Sequence, residues 1–214
     1  MRFFDDVDRG TRNRFRRVYL DEDHPLNGPL AEPTPPPMTA EELERYPDRN
    51  KSVELVRGSL VVREPPSTVH GIIAGNLAVV LGEFVRRKRL GVVSGQDTGF
   101  KIATNPDTVR APDVAFISRD RLPQIPPRGY APLAPDLAVE ILSPDDRPAE
   151  VLGKVADWFA GGSRIVWVID PIAVEARVHR ADGSLSLIRG DETLEGETVV
   201  PGFSCLLSDI LRVG

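Results

Sequence analysis

The segment from Arg110 to Leu142 constrains the chain most, because it places two acids inside apolar runs. The runs read VRAPDVAFIS and APDLAVEILSP, and their conspicuous acids are Asp113 and Glu140. Val114, Phe116 and Ile117 favour a strand, as do Leu137, Val139, Ile141 and Leu142. Runs this apolar suit central strands covered on both faces. Acids in such places are seldom without a partner. If the two meet at the ends of neighbouring strands, a divalent cation between them keeps both ionised at least cost. Magnesium is commonly held by one or two carboxylates together with substrate phosphate oxygens. The competing explanation is structural: Asp113 follows Pro112 at a strand start, where an aspartate can cap a turn. Glu140 has apolar neighbours on both sides and no basic residue near it in sequence, so a turn role does not account for it.

The 214 residues divide most simply into an arm, residues 1–37, and one domain, residues 38–214. The arm carries Arg9, Arg12, Arg14, Arg16 and Arg17 after an acidic start, and it closes on Pro33, Pro35, Pro36 and Pro37. The proline run predicts a semi-rigid boundary. The net charge of −5 excludes whole-molecule attraction to nucleic acid, so any such contact must use local basic patches or a metal. The single cysteine, Cys205, excludes an internal disulfide. No apolar run of about 18 residues is expected to span a membrane, and the start lacks a signal-peptide core. A cytoplasmic location is the expectation.

Thr39 with Glu42 forms a capping box that should open a short helix from about residue 40, and Pro47 ends it. KSVELVRGSLVVRE reads as a hairpin about Arg57-Gly58. Glu54 within it is either a solvent-facing acid on an edge strand or a third acid of a metal site. Ser67 to Arg89 is predicted as the main helix, capped by Ser67 and ended by Gly91. Its stripe is Val69, Ile73, Leu77, Val80, Leu81 and Phe84. His70 lies in its first turn, as a capping or packing residue or as part of a site. Arg86, Arg87, Lys88 and Arg89 end the helix, suit its negative pole, and form the densest basic patch in the chain.

Short strands are expected at Val92–Val93 and Gly99–Ala103, with a turn at Asn105-Pro106-Asp107. The prolines between Ser118 and Pro135 exclude regular structure there. Pro148 to Ala160 should form a helix with Val151, Val155, Trp158 and Phe159 inward, carrying Lys154. RIVWVID is another buried strand, with Asp170 opening the turn before Pro171. A clear hairpin follows about Ala181-Asp182-Gly183. Two substantial helices among many strands indicate α/β or α+β with a mixed sheet.

Glu54, Asp113 and Glu140 then fall into an ordered series. The series is VELVRGSLVV, the helix starting at His70, VRAPDVAFIS, APDLAVEILSP, the lysine-bearing helix ending WFAGG, and RIVWVIDP. It resembles the Uma (Uma-two) family of restriction-endonuclease-like proteins, within the PD-(D/E)xK nuclease superfamily, over roughly Met38 to Leu211. The resemblance implies a restriction-endonuclease-like core, a mixed β-sheet flanked by helices, here with an extra N-terminal hairpin and a C-terminal hairpin. It also implies phosphodiester hydrolysis with Mg²⁺ or Mn²⁺, Asp113 and Glu140 being the metal ligands and Glu54 completing the acidic cluster. His70 matches a histidine common at the start of the family's first core helix. The superfamily's usual lysine, two residues after the second acid, is replaced by Leu142. Lys154 on the following helix matches the position that replaces it, although a solvated helix lysine is the plain alternative.

That chemistry needs an in-line water, a Lewis acid on a non-bridging oxygen and a charge near the leaving group. A lysine beside the site would orient or deprotonate the water. The expected partner is nucleic acid, DNA first, and a homodimer suits cleavage of both strands. The competing function is a catalytically inactive nuclease-fold module for binding or assembly, consistent with Leu142 and the acidic balance. No P-loop, GxSxG, CxxC pair or HExxH occurs.

Overall fold

The computed structural model describes residues 36–47 and 52–214, so the arginine-rich arm lies outside the described residues. The capping box forms: Thr39 and Glu42 satisfy each other's backbone N–H groups and start helix α1, Ala40–Glu44. Strands β1 (Ser52–Val56) and β2 (Ser59–Arg63) make the expected antiparallel hairpin. Helix α2, Thr68–Lys88, is capped at Ser67.

The stripe of α2 differs from the expected one. Its buried residues are His70, Ile73, Ala74, Leu77, Leu81 and Val85, while Val69 and Val80 are exposed. The apolar positions alone were too numerous to fix the rotation of the helix, and His70 falls on the buried side. Gly91 does not end α2; Arg89 does, in a left-handed conformation with φ +57°. Gly91 instead starts β3 (Gly91–Ser94), where a Cβ would overlap the Ile117 carbonyl oxygen. By length and hydropathy α2 would also pass as a membrane-spanning helix, contrary to the expectation of no such run. Here one of its faces lies on the sheet, among the core residues Ile73, Leu77 and Leu81.

The run VRAPDVAFIS is split between two sheets. Thr108–Arg110 is β5, which pairs with β4 (Phe100–Ala103) and β1, whereas Val114–Ser118 is β6. Pro112 lies between them, lacks a donor and constrains Ala111 to an extended conformation, so the ladder breaks there. A 3₁₀ helix at Arg119–Gln124 follows, regular structure that the prolines had been expected to exclude. Then come β7 (Leu137–Ile141), α3 (Pro148–Ala160), β8 (Ile165–Asp170), and the hairpin β9 (Glu175–Arg180) with β10 (Leu185–Arg189). A two-stranded ribbon of β11 (Thr193–Glu195) and β12 (Ser204–Leu206) leads into α4, Leu207–Leu211.

The strands form a four-stranded sheet, β2-β1-β5-β4, and a mixed six-stranded sheet, β10-β9-β8-β7-β6-β3. Within the six-stranded sheet β7 and β8 are the parallel pair among the described strands, joined through α3 as parallel neighbours require. Alternation along β6 and β7 sends Val114, Phe116, Leu137, Val139 and Ile141 into the core shared with α2 and α4. Ala115, Ile117, Ala138 and Leu142 face the second core under α3. Glu140 has the phase of Ala138 and Leu142, which aims it at α3.

Candidate active site

Strands β6 and β7 are antiparallel with Val114 opposite Val139, and Asp113 N–H donates to the Val139 carbonyl at 2.9 Å. One further step in this register sets Asp113 opposite Glu140. The strand ends do meet, although Asp113 itself lies just outside β6. Its Oδ2 accepts from the Ile141 backbone N–H at 2.7 Å, and its Oδ1 from Gln96 Nε2 at 3.3 Å.

Glu140 is buried, at 4% exposure, and α3 supplies both of its partners. Trp158 Nε1 donates to Oε1 at 2.8 Å, and Lys154 Nζ donates to Oε2 at 2.6 Å. Lys154 and Trp158 are four residues apart, on one face of the helix. Burial pushes the Glu140 pKa above the ordinary glutamate value; Lys154 opposes this, and the negative charges of Asp113 and Glu54 add to it. Burial pulls Lys154 down, but Glu140 and Glu54 outweigh that and hold it above the ordinary lysine value. Lys154 is therefore a charged donor at neutral pH.

Glu54 is buried on β1, an internal strand of the four-stranded sheet, so it is not a solvent-facing edge acid. Its Oε2 accepts from Arg110 at 2.9 Å and its Oε1 from the Ala111 backbone N–H at 3.0 Å. Arg110, itself 6% exposed, also reaches Asp157 on α3 at 2.6 Å and so ties β1, β5 and α3 together. Arg63 on β2 lies 3.8 Å from both Glu54 and Asp146.

His70 closes the other side. Its Nε2 is 2.9 Å from the Ile141 carbonyl and 3.3 Å from Asp113 Oδ2, and its Nδ1 is 3.0 Å from Gln96 Nε2. A carbonyl only accepts and an amide NH₂ only donates, so these contacts select the neutral imidazole with its proton on Nε2. Burial lowers the His70 pKa, but Asp113 and the Ile141 carbonyl outweigh it and leave the value above the ordinary histidine one.

Asp113, Glu140 and Lys154 are thus close together with His70, and Glu54 lies near enough to act electrostatically on Glu140 and Lys154. Asp170 does not join them; its Oδ1 accepts from the Ile172 and Ala173 backbone N–H groups, as a turn residue does. Among the described residues no three His, Cys, Asp or Glu side chains are grouped to hold a metal ion as they stand. Donor type and charge nevertheless suit magnesium or manganese at Asp113 and Glu140. Both offer carboxylate oxygens, which such hard ions take, with water and phosphate filling the remaining positions. Glu140 is paired with Lys154 and Glu54 with Arg110, whereas Asp113 has no lysine or arginine ion pair among the described residues. The negative charge left without a cation is at Asp113.

Sequence reasoning passed over Gln96, Arg110 and Asp157. Gln96 sits in a polar loop and carries no local signal. Arg110 did carry one: it is a charge within the mostly apolar stretch TVRAP, the same kind of anomaly that singled out Glu140. Trp158 was expected inward, but its indole N–H was not read as a partner for an acid.

One solved structure with the same fold is described as "Crystal structure of a putative nuclease belonging to DUF820 from Anabaena variabilis ATCC 29413". The superposition has a TM-score of 0.70 at 20% identity, and it covers 82% of this chain and 98% of that one. At that identity the likeness speaks for the fold. No curated protein matches the chain. The model of the family described as "Uma2: Putative restriction endonuclease" matches residues 40–210, from the first residue of α1 to the penultimate residue of α4. The chain therefore belongs to the Uma2 family of restriction-endonuclease-like proteins.

Proposed function

We propose that this chain is a divalent-metal-dependent nuclease that hydrolyses phosphodiester bonds, with DNA as its substrate. The observation that carries the reading is the meeting of Asp113, just ahead of β6, with Glu140 on the adjacent strand β7, with Lys154 Nζ 2.6 Å from Glu140. Asp113 and Glu140 would hold Mg²⁺ or Mn²⁺, whose contribution when bound is Lewis-acid polarisation of a phosphoryl oxygen.

The chain's own residues divide the remaining work. Lys154 stays protonated, so it orients the attacking water by donating to it and offsets charge developing on the phosphoryl oxygens. It does not take the water's proton. Trp158 fixes the Glu140 carboxylate in the plane set by α3. His70 and Gln96 fix Asp113 and the Ile141 carbonyl at the strand end. Glu54 and Arg110 brace the site from the second sheet, and Glu54 adds to its local negative charge.

Calorimetric titration with Mn²⁺ and Mg²⁺, with and without a short non-cleavable phosphodiester, tests the reading on wild type, Asp113→Ala and Glu140→Ala. Saturable binding that both substitutions abolish, together with metal-dependent cleavage of plasmid DNA, is expected. Equal behaviour of all three proteins, with or without the phosphodiester, would overturn it. An inactive binding module, to which Leu142 is suited, would then lead.

A further inference from the structure

An open groove of about 790 Å³ runs between the C-terminal half of α2 and strand β3. Its floor is small and apolar, with Ala78, Gly82 and Val93. Its rim carries Arg86 and Arg89 from α2 and Arg119 from the start of the 3₁₀ helix, against one acid, Glu83. None of these arginines makes an ion pair with another described residue, and all three are exposed. In a chain of net charge −5 that is a concentration of uncommitted positive charge.

One further feature sets the groove apart. Arg89 occupies the left-handed position at the end of α2, where glycine is the usual choice. The backbone conformation thus does not favour the residue found there, although its guanidinium lines the groove.

The groove leads to the candidate active site. Gly95 at its end is followed directly by Gln96, which donates to Asp113 and to His70. From Gly91 to Gln96 an extended chain covers roughly 16 Å, and from His70 to Arg86 the helix axis covers roughly 24 Å. The arginines therefore lie several nucleotides away from the reacting phosphate. Arginines without ion-pair partners suit a phosphate backbone, and a floor of small residues leaves room for sugars and bases. The volume of about 790 Å³ is on the scale of a few nucleotides of one strand.

Resting on the nuclease reading, we propose that this groove is a track for single-stranded nucleic acid, so that the preferred substrate has an unpaired strand entering along β3 towards Asp113. Arg86, Arg89 and Arg119 take its phosphates.

The experiment is fluorescence anisotropy in EDTA, which reads binding without cleavage. The probes are a labelled single-stranded oligonucleotide, a blunt duplex, a duplex with one single-stranded tail, and polyglutamate. The proteins are wild type and Arg86→Gln/Arg89→Gln/Arg119→Gln, with a thermal melt as the folding control. Wild type should bind single-stranded and tailed probes at least tenfold more tightly than the blunt duplex. The triple variant should lose that preference, and its slope of log K against log salt should fall by about 2, at roughly 0.7 per phosphate contact on a single strand. Unchanged single-strand binding in the variant would overturn the proposal. So would an equal loss on the blunt duplex, or polyglutamate binding as tight as the oligonucleotide, which would mark an acidic-peptide site. Arginine-dependent binding without any cleavage would leave the track standing and remove the nuclease reading. Cleavage with arginine-independent binding would do the reverse.

Discussion

Lys154 Nζ lies 2.6 Å from Glu140 Oε2, although the residues belong to different elements, a helix and the strand before it. Leu142, two residues after Glu140 and just past the end of β7, packs against the core under α3. The cation therefore enters from the helix side of a site whose acid is fixed by the strand, the side that residue 142 also faces.

Lys154→Met should reduce cleavage about a hundredfold or more, in keeping with the loss of one preorganised charge donor. It should also destabilise the fold by roughly 3–5 kcal/mol, because Glu140 is left buried and unpaired. Adding Leu142→Lys should return at least a tenth of the wild-type rate, since residue 142 has the phase of Glu140. Cleavage rates and urea denaturation of the single and double variants check this, and a double variant as inactive as the single one would count against it.

Gln96→Ala should weaken Mn²⁺ binding by about 10–100-fold, the usual effect of removing a group that orients a ligand. Its stability should change by no more than about 1 kcal/mol, because the hydrogen bonds it makes are part-buried and ordinary. Calorimetry and thermal unfolding separate the two effects. An unchanged metal affinity would mean that Asp113 needs no such support.

Arg110→Met removes the partner of both Glu54 and Asp157, so it should cost about 3–5 kcal/mol. Arg110→Met/Glu54→Gln should recover part of this, because one buried charge is removed along with its partner. Urea denaturation of the two variants measures the recovery.

The pH dependence of stability follows from Glu140. Its native pKa lies above the ordinary 4.5, owing first to burial, with Lys154 opposing and Asp113 and Glu54 reinforcing the shift. An acid of this kind holds its proton more tightly in the native state. Its contribution is fully present below the unfolded-state value and is lost as pH rises through the native one. Metal-free Glu140→Gln should therefore gain stability relative to wild type as pH is raised from about 4.5. Urea denaturation at a series of pH values checks this, and a constant difference would contradict the shift.

Much of the fold was legible because β7 and β8 are buried on both faces and their sequences are apolar throughout. Glu140 stood out for the same reason. The rotation of α2 was not legible, because Val69, Val79 and Val80 make its outer face nearly as apolar as its inner one. Nor was the division of VRAPDVAFIS, since β5 and β6 have like composition and only Pro112 marks the crossing between sheets. Gln96 is a polar residue in a polar loop and Asp157 an acid on an amphipathic helix, and only the tertiary structure brings their partners to them. Arg110 could have been read, because an arginine in an apolar run raises the question of its partner.

The passage from β7 through α3 to β8 has a further consequence for tolerance to insertion. Glu140 depends on a repeat of two residues and Lys154 on one of 3.6, and these phases are set independently. One residue inserted in the link between Leu142 and Arg147 lengthens a loop and leaves both phases intact. The same residue inserted between Pro148 and Lys154 turns the ammonium about 100° round the helix, away from the carboxylate. Length variation in this domain should thus be absorbed ahead of α3 and barred within its first two turns, whatever the residues there are.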